Sequence, residues 1–565
     1  MSAPLPAGLT LESLEVGAAP LVRHFLQRLR LATLFEEALP SLPGRRPALP
    51  SSCCLCLLVT NLLLARQPLY ALPAWVARRV PETLGLQADQ LPLLNDDRLG
   101  RALDHLGRAD RASLLTALVR QTIKEFQIDL SEMHQDTTTI TLHGEYPDQP
   151  DPVLTNRPPR ITRGYNKDHR PDLKQLVYSL TISADGAVPI HCKLYDGNTT
   201  DDSVHVETWD FLRRLIGHSD FLYVADSKLC TRENMSHLST RQGRFLTVMP
   251  RTRSEDRWFR DYQFDHLLPW AEVHREPNPR RRDGPDVVYH AVESPESSAE
   301  GYRVFWYRSS PKQLQDQESR QLRLERARTR LETLQTPQRR PFRFPVDAEA
   351  AAQRIAQEEQ VEPLLRIEID SLAEEEYRQE TRGRPGPNTR YRRIERFTYR
   401  ARYVENVEAV RREASCDGLF PLISNDKTLT AEEALRKYKY QPFVEKRHEQ
   451  LKSGFGVMPM WLKNVRRIES LLWLYYVVEL VQALVEREVR RQMEEQELAS
   501  LPLYPEGRAS SAPTTTSVFD VLEGHRCHRL RDEQGHELQR FHDPLPDVAQ
   551  DVLEMLNVDV TPYGL

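Results

Sequence analysis

Ser131-Glu-Met-His-Gln-Asp136-Thr-Thr-Thr-Ile-Thr-Leu142 places an acid inside a run of β-branched residues. A strand alternates its side chains between two faces, and Thr and Ile suit the pleated surface. The run predicts a strand from Asp136 to Leu142, with Asp136 either a solvated outward residue or an acid fixed at the surface of a sheet. Further strands follow. Gln175 to Ser183 and Val188 to Tyr195 flank Ala184-Asp-Gly-Ala187, whose Asp-Gly pair signals a hairpin. A helix from about Asp202 to Ile216 leads to the apolar strand Phe221-Leu-Tyr-Val-Ala225, which ends at Asp226. A second helix around Arg232 to Gln242 precedes a strand from Phe245 to Met249. Antiparallel strands, a crossover helix and a buried strand define a mixed α/β sheet.

Outward from this sheet the pattern changes. Leu21 to Leu39, Cys53 to Leu64, Arg98 to Leu106 and Ala112 to Phe126 repeat apolar residues every three or four positions, with a helix start at Asn95 and Asp96. Residues 1–128 therefore read as a helical domain. Residues 129–250 hold the sheet, and 251–415 interrupt it as an insertion. That insertion carries strand-like pieces (Val287 to Val292, Tyr302 to Tyr307), charged helices from about Gln313 to Leu334 and Ala348 to Gln379, and the turn Gly383-Arg-Pro-Gly-Pro387. Its apolar heptads are too short for a coiled coil. Residues 416–497 resume with the strand Gly418-Leu-Phe-Pro-Leu-Ile423, a capping box at Thr430-Ala-Glu-Glu433, a helix after Pro442 and another from about Asn464 to Glu497. Residues 498–565, rich in Ser, Thr and Pro and then acidic, read as a flexible tail with a short terminal helix.

With 565 residues, 39% hydrophobic, the chain is globular and long enough for roughly three or four domains. A net charge of -5 gives no overall basic signature, so nucleic-acid binding would need local patches. Candidates are Arg280, Arg281 and Arg282, the stretch from Arg320 to Arg330, the pair Arg339 and Arg340, and the stretch from Arg390 to Arg402; each is equally readable as a salt-bridged surface. Seven cysteines without metal-ligand spacing indicate reduced thiols in a cytosolic protein. No secretory leader opens the chain. Leu471 to Val485 is interrupted by Glu479 and is too short to span a bilayer, so a soluble intracellular protein is expected.

Asp136, Asp226 and Glu445, the last on a returning helix, would converge if the strands bearing the first two are neighbours. Three carboxylates together repel one another, and hard divalent cations remove that cost. Glu449 is a rival for the third place. His134 lies on the same strand face as Asp136 and reads more simply as a structural residue.

The ordered motifs resemble those of the bacterial insertion-sequence DDE transposases, which have a ribonuclease-H-like catalytic core. The resemblance rests on Asp136-Thr-Thr138; Gly164-Tyr-Asn-Lys-Asp-His-Arg-Pro-Asp-Leu-Lys174; Gly197-Asn-Thr-Thr-Asp201; Val224-Ala-Asp-Ser-Lys-Leu229; and Val444-Glu-Lys-Arg-His-Glu-Gln-Leu-Lys452. Asn95-Asp-Asp-Arg-Leu-Gly-Arg-Ala-Leu-Asp104 looks like the leading domain of one branch. The family's last motif runs Tyr, two residues, Arg, three residues, Glu, six residues, Lys. Tyr438, Glu445 and Lys452 match it, and Gln441 stands where the arginine belongs. The first, second and last of these basic or polar places imply DNA-phosphate contacts; Gln441 can hydrogen-bond a phosphate but brings no charge. Lys452 is alternatively a partner of Glu449 on a solvated face.

The fold the resemblance implies is α/β: a ribonuclease-H-like mixed sheet with an inserted α+β domain, an N-terminal helical domain expected to bind DNA ends, and C-terminal helices. The implied activity is binding of an element's terminal inverted repeats, cleavage there and joining of the freed 3′-hydroxyl ends to target DNA. Asp136, Asp226 and Glu445 would hold two Mg²⁺ ions, with Mn²⁺ as a substitute, and would be both metal ligands and catalytic residues. Implied partners are double-stranded DNA, as repeat ends and target, and a second copy when ends are paired, without a membrane; the expected location is the nucleoid of the bacterial cytoplasm. Two alternatives stay open: an inactive or regulatory DNA-binding relative, and a nuclease of the same fold that cuts without joining. Trp258, Trp270 and Trp306 could stack on an extruded base or simply pack in a core. Asp168, Asp172 and Lys174 lie in the loop before the hairpin and are read as a structural turn, with holding the active-site edge as the alternative.

Overall fold

The computed structural model describes residues 8–41, 47–146, 158–278, 283–335, 341–454, 462–504 and 506–565. The chain forms two units, one of residues 1–247 with 436–565 and one of residues 248–435.

The first unit opens with β1 (Thr10–Glu15) and helices Ala19–Arg28, Leu31–Ala38, Ser51–Leu64, Asp96–Arg108 and Arg111–Phe126. The single helix expected from Leu21 to Leu39 is broken at Arg30, whose φ of 52° lies in the left-handed region. Asn95 caps its helix as expected, accepting from the Arg98 N–H at 2.8 Å. The sheet follows: β2 (Glu132–Leu142), β3 (Lys174–Ser183), β4 (Pro189–Tyr195), β5 (Leu222–Ala225) and β6 (Arg244–Val248). Within this unit the strands lie in the order β4-β3-β2-β5-β6. β3 runs antiparallel to both β2 and β4, and β5 and β6 run parallel to β2. Helices His205–Ile216 and Arg232–Thr240 provide the crossovers that parallel strands require. At the β3–β4 hairpin, Asp185 pairs through both oxygens with Arg487 at 2.8 and 2.7 Å, tying the turn to the last long helix.

That helix, Val465–Glu495, is 31 residues long and apolar enough to cross a membrane by length and composition, longer than the sequence stretch from Leu471 to Val485 suggested. Here it is a core helix: 89% of its most apolar window is buried in the protein. It packs on Ser51–Leu64, on Asp96–Arg108 and on β4, and Arg467 grips Asp104 at 2.8 and 2.7 Å. Glu479, buried in its middle, accepts a 3.1 Å hydrogen bond from the Tyr178 hydroxyl. Burial pushes its carboxyl up to about 8, opposed by Tyr178 and Arg447. Because the folded state holds the proton more tightly than the unfolded state, wild-type stability should fall as pH rises from the ordinary carboxyl range through about 8. Glu479→Gln keeps the shape without the charge, so it should be more stable than wild type at pH 9, by on the order of 3 kcal/mol, and equal to it near pH 4. Urea midpoints measured at both pH values check this; a difference independent of pH would refute it.

The second unit contains β7 (Ala271–Glu276), β8 (Val287–Glu293), β9 (Arg303–Ser309), β10 (Leu365–Gln379), β11 (Tyr391–Glu405) and β12 (Leu419–Ser424). β12, β9, β8 and β7 are neighbours in that order and antiparallel, while β10 and β11 form a separate two-stranded ribbon. The helix expected from Ala348 to Gln379 ends at Glu358, and Leu365 to Gln379 is strand. The cause is tertiary. Leu365-Arg-Ile-Glu-Ile-Asp alternates with period two, and two glutamates of the strand, Glu368 and Glu374, stand across from Arg402 and Arg396. The capping box at Thr430 and Glu433 is reciprocal, at 2.9 and 3.2 Å.

The tail departs from the flexible segment expected, although its short terminal helix is present at Asp547–Met555. Residues after 501 supply β13 (Arg526–Arg531) and β14 (Glu537–His542), and β13 pairs antiparallel with β1. The Ser/Thr/Pro composition masked this, because the strand partner lies more than 500 residues away in sequence. All cysteines are free thiols, as expected.

Candidate active site

The parallel pairing of β2 with β5 runs Glu132↔Leu222, Met133↔Tyr223, His134↔Val224 and Gln135↔Ala225. One step beyond the last rung stand Asp136 and Asp226, on backbones about 4.8 Å apart as neighbouring strands are. Asp226 is fixed at the strand end: its side chain accepts from the Lys228 N–H at 3.0 Å, and its carbonyl accepts from the Thr247 hydroxyl at 2.6 Å. Burial pushes the Asp136 carboxyl up to about 7; Lys167 opposes this most strongly, and Asp226 and Asp201 add to it. Asp226 is also raised, first by burial. The two acids therefore share a desolvated corner where a positive charge would be favoured.

Two loops deliver side chains to that corner. The segments beginning at Gly164 and Gly197 pack backbone against backbone: a Cβ on Gly164 would lie 2.1 Å from the Gly197 carbonyl oxygen. Gln175 ties both down, donating to the Gly197 carbonyl at 2.7 Å and the Tyr165 carbonyl at 3.0 Å. The result places the Lys167 ammonium against the Thr137 carbonyl (2.6 Å), the Thr137 hydroxyl (2.9 Å) and Asp201 Oδ2 (3.1 Å), with Asp136 Oδ1 at 3.9 Å. The Thr137 hydroxyl in turn donates to Asp201 Oδ1 at 2.6 Å. Both oxygens of Asp201 are thus committed to holding Thr137 and Lys167.

A helix closes the site from one side. Pro442–Glu449 packs on β2, with Gln441 at its cap and His448 near its end. Gln441 is buried; its amide N–H donates to the Gln135 carbonyl at 2.8 Å, and its carbonyl faces His134 Nδ1 at 3.1 Å. This is a packing role for Gln441, unlike the phosphate contact its motif position implied. His134 also meets Glu132 at 2.9 Å and is a structural residue. His448 is buried with Nε2 3.8 Å from Asp136 Oδ2, and burial lowers its pKa to about 3, leaving a neutral ring at pH 7. Glu445, four residues after Gln441 and three before His448, shares their helix face but is exposed. Tyr438 senses all three acids: burial raises its phenol, and Asp226, Glu445 and Asp136 raise it further. The structure therefore brings Asp136 and Asp226 together and leaves Glu445 at the open side. Among the described residues, no three His, Cys, Asp or Glu side chains are close enough to hold a metal ion.

Lys452 pairs with Asp168 at 2.7 Å rather than with Glu449. Arg280, Arg281 and Arg282 lie outside the described residues. The tryptophans of the second unit are packed: Trp306 stacks on Phe259 at 4.1 Å, Trp258 on Tyr262 at 4.9 Å, and Arg308 covers Trp270 at 4.6 Å. Sequence reasoning assigned no site role to Lys167, Asp201, Thr137 or His448. The available signal was that the Lys167 and Asp201 segments each open on a glycine, the mark of close backbone approach.

Residues 11–120 match a family described as a domain of unknown function, DUF4277. No curated protein matches. Among solved structures, the chain is similar to a piggyBac transposase in a synaptic complex with hairpin DNA, at a TM-score of 0.32 and 9% identity, over 82% of this chain and 72% of that one.

Proposed function

We propose that this chain is a DNA transposase of the bacterial insertion-sequence DDE type, with the sheet β4-β3-β2-β5-β6 as a ribonuclease-H-like core. The observation that carries the reading is the β2–β5 register, which sets Asp136 beside Asp226 in a corner that disfavours their negative charge. The order of motifs along the chain supports it, as does the match to DUF4277, a family found in transposases. Two oxygen ligands, Asp136 and Asp226, suit a hard dication; motif spacing names Glu445 as the third, and it would have to turn in from its exposed position. When bound, Mg²⁺ or Mn²⁺ supplies activation of water or a 3′-hydroxyl and stabilisation of the departing oxygen. Lys167, anchored on Thr137 and Asp201, offsets the acid charge from the protein side, and Lys452 and Tyr438 flank the path of the DNA backbone. Pairing of two element ends calls for a dimer, working at the nucleoid in the bacterial cytoplasm.

The test uses duplexes carrying the inverted repeats that flank the reading frame. Wild-type protein with Mg²⁺ should nick them at the element boundary and join pre-cut 3′ ends to a target plasmid. Cutting without joining would make it a nuclease, and binding without cutting in either Mg²⁺ or Mn²⁺ would make it a regulatory DNA-binding protein.

A further inference from the structure

The ribbon β10–β11 has two 15-residue strands, so it is about 50 Å long. Among the described residues its buried contacts lie at the base. Leu365 and Ala401 join Leu324, Leu331, Ala352 and Val361 in a buried cluster, and inward packing ends near Ile369. Beyond Asp370 most residues of both strands are exposed, Tyr377 and Phe397 included, although Thr398 is buried and Tyr399 is bridged to Phe342. A free two-stranded ribbon of this length is marginal in water, so its outer part stands ready for a partner.

The chemistry at its end selects that partner. From Arg378 to Arg393 the chain carries six arginines against one glutamate. Nearer the base, arginines are neutralised: Arg396 meets Glu376 at 3.0 Å and Arg393 meets Glu395 at 3.0 Å. Among the described residues, Arg382, Arg384, Arg390 and Arg392 meet no carboxylate. The register sets Arg378 directly across from Arg392, and Glu376 neutralises Arg378 at 2.9 Å, which leaves the charge of Arg392 for an outside anion. The tip is a built turn: the Gly386 N–H donates to the Thr389 hydroxyl at 2.7 Å, the Thr389 N–H to the Gly386 carbonyl at 3.0 Å, and Gln379 holds the Gly383 carbonyl at 3.1 Å. Gly383 has φ +145° with open space where a Cβ would be, so bare backbone separates Arg382 from Arg384 in the tip loop.

We infer that this arm is a DNA-reading ribbon, with Arg382 and Arg384 entering the minor groove of an A·T-rich duplex while Arg390 and Arg392 hold its phosphates. Arginine is drawn into narrow A·T minor grooves by their enhanced negative potential, and a two-stranded ribbon with a slim tip fits such a groove. The glycine between them lets the backbone approach the groove floor. The inference rests on the reading of the chain as a DNA-acting protein and adds the surface and groove it uses.

The test is fluorescence anisotropy of the full chain, without divalent cations, on short duplexes with A·T-rich or G·C-rich centres. Wild type should prefer the A·T-rich duplex and be displaced by a minor-groove-binding drug. The double variant Arg382→Ala, Arg384→Ala should lose that preference, bind at least about tenfold more weakly, and show a salt slope smaller by about two. These side chains are exposed, so unchanged thermal unfolding would confirm that the variant folds. Unchanged affinity and slope in the variant would overturn the inference while leaving the proposed function standing; no duplex binding by wild type would overturn both. If instead the substitution changed only the oligomeric state, seen by light scattering, the arm would be a contact between protein copies and the inference would fall.

Discussion

Asp136→Asn is expected to abolish Mg²⁺-dependent strand cleavage, by at least about a thousandfold, while making the metal-free protein more stable above pH 7. The two effects share one cause. Asp136 is held in a corner where burial, Asp226 and Asp201 all disfavour its charge, and its carboxyl rises to about 7 against an ordinary 3.8. The folded state therefore binds the proton more tightly than the unfolded state, and wild-type stability declines as pH climbs from about 4 through 7. Asparagine carries no charge to desolvate, so the variant should gain about 2 kcal/mol at pH 8, after allowance for its partial exposure, and nothing near pH 4. Adding Mg²⁺ should reverse the order, raising the melting temperature of wild type but not of the variant. A stabilised variant with wild-type cleavage would remove Asp136 from the chemistry. An inactive variant with wild-type stability at both pH values would show that the corner is less desolvated than its packing indicates.

Much of this corner was legible because strand signals are local. The Thr-rich run, the Asp-Gly turn and the apolar strand before Asp226 each mark an element over a few residues, and the observed β2, β3, β4 and β5 lie where those signals put them, to within four residues. The adjacency of β2 and β5 was only a condition in the sequence, since no local signal reports which strands pair in parallel across a crossover helix. Less local features escaped. The acidic stretch Ala373-Glu-Glu-Glu376 has helical propensity, and only its arginine-bearing partner strand makes it β10. The return of β13 to β1 connects opposite ends of the chain. Gln441 sat at the place of a phosphate ligand by spacing alone, but the Gln135 carbonyl and His134 ring that occupy its amide lie more than 300 residues earlier. Lys167 and Asp201 lie inside the ordered motifs, but no local signal gives them a chemical role, because their meeting depends on two loops crossing.

That crossing supplies the second large effect. Gly197→Ala is expected to cost about 3 kcal/mol or more in folding stability and to lower cleavage with it. An added Cβ would lie 2.0 Å from the Gln175 carbonyl oxygen and 2.5 Å from that of Thr162. Both are backbone atoms, and Thr162 and Gln175 already exchange hydrogen bonds of 3.3 and 2.9 Å, so neither can retreat without breaking that pair. The displaced loop ends at Asp201, whose two oxygens hold Thr137 and Lys167 in place beside Asp136. A shift there should reach the acid corner even though Gly197 touches none of its carboxylates. Gly217→Ala separates crowding from conformational strain: Gly217 has φ +88° with nothing within 4 Å of a built Cβ, so the change should cost only about 1 kcal/mol and leave cleavage intact. Urea midpoints and cleavage rates of the two variants make the comparison. Equal losses would mean that the Gly164 and Gly197 loops do not press together as tightly as their carbonyl spacing requires, and the positioning of Lys167 by Asp201 would then need another support.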